Sequence, residues 1–120
     1  MLPVSGLLGG KRIEKLFASL LQIGHIEECN IPFAVVATDV ATGEEVVLMQ
    51  GDIVKAIRAS MSIPGIFAPI FWENRLLVDG GLISPVPVRA VRMLGADVVI
   101  AVNLAAEMSK RSYIAIEKKM

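Results

Sequence analysis

A single cysteine, Cys29, and a single histidine, His25, leave this chain unable to form an internal disulfide or a metal site built on Cys and His. Charge is in balance, with 12 basic and 12 acidic side chains, which removes the electrostatic case for nucleic acid and for an anionic membrane. No apolar run approaches the ~20 residues that span a bilayer, and no basic segment followed by a long apolar stretch opens the chain. These absences point to a cytoplasmic protein in a reducing compartment. Catalytic signatures are scarce too. A nucleophile elbow needs Gly-x-Ser-x-Gly between a strand and a helix, so that small neighbours let the serine occupy a sharp turn; around Ser5, Pro3 and Leu7 stand where the glycines belong. Gly10-Lys11 has the ending of a phosphate loop, but Ser5 replaces its first glycine and Arg12 its Ser or Thr. The spaced glycines of a dinucleotide fingerprint are missing, so neither a nicotinamide nor a flavin is expected; the expectation is no cofactor and no metal.

What is present is apolar. Hydrophobic residues make up 54 % of the 120, and a chain of this length buries roughly two thirds of its unfolded surface if its strands find partners. One domain, or part of one, is expected. After a loop over residues 1–10, Ile13, Leu16, Phe17, Leu20 and Leu21 share one face of a helix that Gly24 stops and that should cover a core. The nearly continuous apolar run 31–38 and the strand 45–49 form a hairpin, and Asp52 caps a helix that Pro64-Gly65 ends. Residues 63–72 carry no charge and hold three of the six aromatics. A packed loop leading into a strand is the first reading of them, a lipid-facing surface the second. Glu73-Asn74 turns the chain into a strand over 75–78 that ends at Asp79. A short helix through Val88, Val91 and Leu94, capped by Gly95, precedes a buried strand over 97–103, which is the α/β pattern. The tail 105–120 reads as a solvated helix or a frayed end.

Among these elements, Val78-Asp79-Gly80-Gly81 is the place where chemistry fits: an acid at a strand end, followed by two glycines that leave space around it. Asp-Gly-Gly is equally a common turn. Ser60 and Ser62, at a helix end, are better explained by packing or by bonding back to the helix. His25 reads as a surface or capping residue, and Asp39 as a turn residue that accepts from the amides after it. Arg58 is placed to pair with Asp39, to pair with Asp79, or to be solvated.

Three blocks in this order and spacing resemble the patatin-like phospholipases, most closely their bacterial members: Ala37-Thr38-Asp39 before Thr42-Gly43; Arg58 through Phe67; and Leu77 through Ile83 with Pro85-Val86-Pro87-Val88. The resemblance is strongest over 6–104 and treats 1–120 as a partial domain with a terminal tail. It implies an incomplete three-layer α/β/α fold and a Ser-Asp dyad that hydrolyses acyl esters of lipids, with Asp79 as the dyad acid and no histidine in the triad. Ile66, Phe67, Gly80 and Gly81 are the implied substrate contacts, with Phe67 in the wall of an acyl-chain pocket. The serine elbow and the glycine-rich oxyanion loop of the family lie upstream of the matched blocks, so the chain is expected to begin after the nucleophile helix and to be inactive alone. Ser84 stands where many members carry Asn. Three readings follow: part of a hydrolase, one half of a split hydrolase completed by an N-terminal chain, or a non-catalytic remnant or interaction module. Lipid, a membrane surface touched peripherally, and a second copy of the chain are the expected partners, the last because strands 31–38 and 97–103 would have open edges.

Overall fold

Two turns decide how the central strands meet. Glu73 and Asn74 both take left-handed backbone, φ 41° and 68°, which a two-residue hairpin needs to follow the twist of its strands. They join β3 (Ile70–Trp72) to β4 (Arg75–Asp79), while a longer link turned by Gly43 joins β1 (Val35–Asp39) to β2 (Glu45–Leu48). The computed structural model of the chain describes residues 10–103 and, as backbone, 113–118. Its main sheet runs β2-β1-β4-β3, every neighbouring pair antiparallel. Opposite Ala37, Thr38 and Asp39 of β1 stand Asp79, Val78 and Leu77 of β4, so the end of β4 lies against the middle of β1.

Every residue of β1 is buried, as its apolar, β-branched composition predicts. One face is covered by α2 (Ile53–Ser60), which Asp52 caps by accepting the Lys55 amide at 3.0 Å. Ile53, Ala56 and Ala59 form the core with Val35, Ala37, Leu77 and Trp72. Residues 31–34 stay outside the expected strand: Pro32 has no N–H for a ladder, and Ile31 is 79 % exposed. The first helix, α1 (Lys11–Leu20), ends before Gly24 and buries none of its residues. Ile13 and Phe17 are half-buried while Leu16 and Leu20 are exposed, so this helix lies on α2 without covering a core.

The C-terminal part corrects two further expectations. α3 (Val88–Met93) is followed by Gly95 at φ 101°, the expected stop, and packs on β5 (Val98–Asn103). Val99 of β5 is buried, but Val98, Ile100 and Val102 are about half exposed or more, because only one face of the strand is covered. Residues 113–118, expected to be helical or frayed, form a strand, β6 (Tyr113–Lys118), antiparallel to β5. Its aromatic and β-branched residues suit a strand, and pairing satisfies the backbone groups along one edge of β5. Residues 105–112 lie outside the described residues. The open edge expected at 31–38 is not found either, since β1 has β2 on one side and β4 on the other. The fold is thus mixed α/β, with Asp79 at the end of β4, one of the two inner strands of its four-stranded sheet. No helix among the described residues is long and apolar enough to cross a membrane.

Candidate active site

Asp79 is held through its backbone from two sides. Its N–H donates to the Ser62 carbonyl at 3.0 Å, and its own carbonyl accepts from the Thr38 hydroxyl at 2.9 Å. One turn of 3-10 helix, Gly80–Leu82, begins directly after it, and Asp79 Oδ1 caps that turn by accepting the Gly81 amide at 2.9 Å. A strand-end aspartate that caps the next turn has one oxygen committed. The other, Oδ2, has no hydrogen-bond partner among the described residues.

Asp79, Gly80 and Gly81 border a cavity of about 480 Å³, with Ser60, Ser84 and Phe33 also in its wall. Gly80 has a reason beyond keeping this space open. A Cβ at its position would lie 2.1 Å from the Val36 carbonyl oxygen, so only glycine lets the turn rest against β1. At Gly81 a Cβ would come within 3.2 Å of Asp79 Oδ1, close enough to press on the carboxylate. Ser60 donates its hydroxyl to the same Val36 carbonyl at 2.6 Å, which ties α2 to the sheet. Ser62 bonds back to the Arg58 carbonyl at 2.7 Å, as its place at a helix end predicts.

The other sequence candidates lie apart from the cavity. Ile66 is exposed, and Phe67 sits against the guanidinium of Arg58, 4.9 Å from ring centroid to Cζ, so neither borders the cavity at Asp79. His25 precedes a 3-10 turn, Ile26–Glu28, where its N–H donates to Glu28 Oε1 at 2.8 Å. Asp39 is a buried turn residue: Oδ1 accepts the Ala41 and Thr42 amides, and Oδ2 faces Arg75 at 3.5 Å. Substituting Asp39 by Asn keeps the Oδ1 acceptor and loses the ion pair, so a loss below about 1 kcal/mol is expected in urea unfolding. Asp39→Ala also strands the Ala41 amide and is expected to cost about 1 to 3 kcal/mol.

Arg58 is the residue that spacing alone placed wrongly. It is fully buried, and the carboxylate beside it is Glu14 of α1, 3.9 Å from Nε, while Arg75 takes the place next to Asp39. Burial lowers the proton affinity of the guanidinium, and Glu14 opposes that shift. The bonds by which Thr38 and the Ser62 carbonyl anchor Asp79 have no local signature in the sequence. For Thr38 the pairing of β1 with β4 was the necessary clue, and no local pattern carries it.

Asp79 thus stands at a strand end beside a cavity, followed by a Gly-Gly turn and backed by an antiparallel sheet and a helix. The sequence profile of the patatin-like phospholipases matches residues 1–92, and the chain belongs to that family. An NTE family protein of Mycobacterium tuberculosis is 37 % identical over 103 residues, covering 86 % of this chain and 29 % of that protein. A putative patatin-like phospholipase domain-containing protein of Caenorhabditis elegans is 33 % identical over 104 residues, 85 % of this chain and 10 % of its own length. The mouse patatin-like phospholipase domain-containing protein 7 is 28 % identical over 106 residues, 87 % of this chain and 8 % of its own length. The chain therefore spans less than a third of the length of each of these relatives.

Proposed function

We propose that this chain carries the acid of a Ser-Asp dyad in a lipid acyl hydrolase. The observation that supports the reading is the divided carboxylate of Asp79, one oxygen held by the Gly81 amide and the other without a hydrogen-bond partner among the described residues, at the rim of a cavity. Asp79 Oδ2 then takes the proton of a serine hydroxyl as that oxygen attacks the ester carbonyl. Collapse of the tetrahedral adduct expels the alcohol, which leaves with the proton from Asp79. Water, deprotonated by the same carboxylate, attacks the acyl-serine, and collapse of that adduct releases the fatty acid as Asp79 returns the proton to the serine oxygen. Gly80 and Gly81 are the proposed substrate contacts from this chain.

The 120 residues hold no serine elbow, so the reading requires one from further polypeptide, either joined upstream or supplied as a separate chain. Joining or mixing such a segment with this chain and following hydrolysis of a soluble nitrophenyl ester is the test. Turnover is expected only when both parts are present, and turnover by the serine-bearing segment alone would overturn the reading. The exposed residues Ile63, Pro64, Gly65 and Ile66 support peripheral contact with a lipid surface. Ile66→Asp is accordingly expected to lower hydrolysis of an ester held in vesicles and to spare the soluble one. The free Cys29 supports a reducing, cytoplasmic setting.

A second reading, association with a further copy or a complementing chain, is favoured by the half-covered β5, where Ile100 is 65 % exposed between Val98 and Val102. In this reading the chain alone sediments as an oligomer at micromolar concentration. A monomer that unfolds cooperatively would count against it.

A further inference from the structure

Arg58 is 0 % exposed, and a guanidinium is costly to take out of water unless its donors are met. Its donors reach the segment that leads to Asp79. Nη1 donates to the Ser62 hydroxyl and Nη2 to the Ala68 carbonyl at 3.3 Å, while the guanidinium faces the Phe67 ring at 4.9 Å. Gly10 lies so close that a Cβ there would fall 1.9 Å from Nε, which holds the side chain in place from the α1 side. Ser62 completes the relay, because its carbonyl accepts the Asp79 amide. Ser62 is also tied to α2 directly, its N–H donating to the Ala59 carbonyl at 3.1 Å and its hydroxyl to the Arg58 carbonyl at 2.7 Å. The bonds from Ile66 and Phe67 run only back to the Ile63 carbonyl, so the bond of Nη2 to the Ala68 carbonyl is what ties the far end of the segment to the helix.

We propose that Arg58 is a positioning residue for Asp79: its planar fork pins residues 62–68 to the end of α2, and the Ser62 carbonyl in turn sets the backbone from which the carboxylate projects. This rests on Asp79 being the dyad acid. A lysine at position 58 keeps a positive charge but, as a point charge on a flexible stem, does not span the Ser62 hydroxyl and the Ala68 carbonyl as the fork does.

Two measurements test the role separately from the dyad reading. In the chain as it stands, Arg58→Lys is expected to speed amide exchange at Asp79 by on the order of tenfold while α3 and β2 keep their protection. Unchanged exchange at Asp79 overturns the proposal whatever the enzyme does. In the serine-completed enzyme, Arg58→Lys is expected to lower kcat by on the order of tenfold to a hundredfold with KM nearly unchanged, the scale of a small misplacement of a reacting group. The same substitution in an Asp79→Asn background is expected to cause little further loss, since the carboxylate it positions is gone. A loss of equal size in both backgrounds marks a general defect of folding and overturns the positioning role. Full activity of Asp79→Asn alone instead removes the dyad reading. If Arg58→Lys does not fold, Arg58→Gln, which removes the fork and leaves the bonds of Ser62 to the Ala59 and Arg58 carbonyls in place, carries the same expectations and the same failing result.

Discussion

Asp79→Asn is expected to cut ester hydrolysis by the serine-completed enzyme by about a hundredfold to ten-thousandfold, the usual worth of a positioned general base. The substitution is close to isosteric, and Oδ1 continues to accept the Gly81 amide, so the 3-10 turn keeps its cap. That bond also fixes which way the new amide points. Its NH2 group, repelled by the Gly81 N–H, turns to where Oδ2 stood, and it donates a hydrogen bond where a proton must be accepted. The serine keeps its proton, and kcat falls while KM changes little. Thermal unfolding of the two forms should coincide. Equal turnover by both forms would leave Asp79 as a turn residue only.

Gly80→Ala is expected to destabilise the chain by about 3 kcal/mol, at the upper end of what overpacking costs. Gly80 has no left-handed φ, so alanine suits its backbone angles and the penalty is steric alone. The added carbon would meet the Val36 carbonyl oxygen at 2.1 Å and its carbon at 2.6 Å, both backbone atoms of the most buried strand. That carbonyl also accepts the Ser60 hydroxyl, so yielding at β1 disturbs α2 as well. A loss of this size is a large fraction of the about 5 to 15 kcal/mol by which domains are stable, and urea unfolding should show it as a lower midpoint. Gly81→Ala is the contrast: its nearest neighbour is a side-chain oxygen of Asp79 at 3.2 Å, so stability should change little and activity should fall. Similar unfolding midpoints for the two variants would refute the steric account.

The places where local pattern succeeded share a local cause. Asp52 caps α2 because its side chain reaches an amide three residues on, and Asp39 organises its turn through amides two and three residues on. Glu73-Asn74 turns a hairpin, and Gly95 stops α3, through backbone conformations that few residues adopt without strain. Where pattern failed, the deciding contact was distant or missing. The apolar stripe of α1 does not reveal how little of it is covered, and the tail pattern does not reveal that β5 offers 113–118 an edge.

The sequence by itself determined the α/β class and the family to which the chain belongs, because motif spacing, capping and turn chemistry act over a few residues. Only the tertiary structure decided that Gly80 is required by the Val36 carbonyl, that Arg58 is buried against Ser62, Ala68 and Phe67, and that Phe67 stands away from the cavity at Asp79. Those facts depend on which strand lies beside which. Strand pairing is settled by burial summed over the whole sheet, a quantity that no single stretch of residues contains.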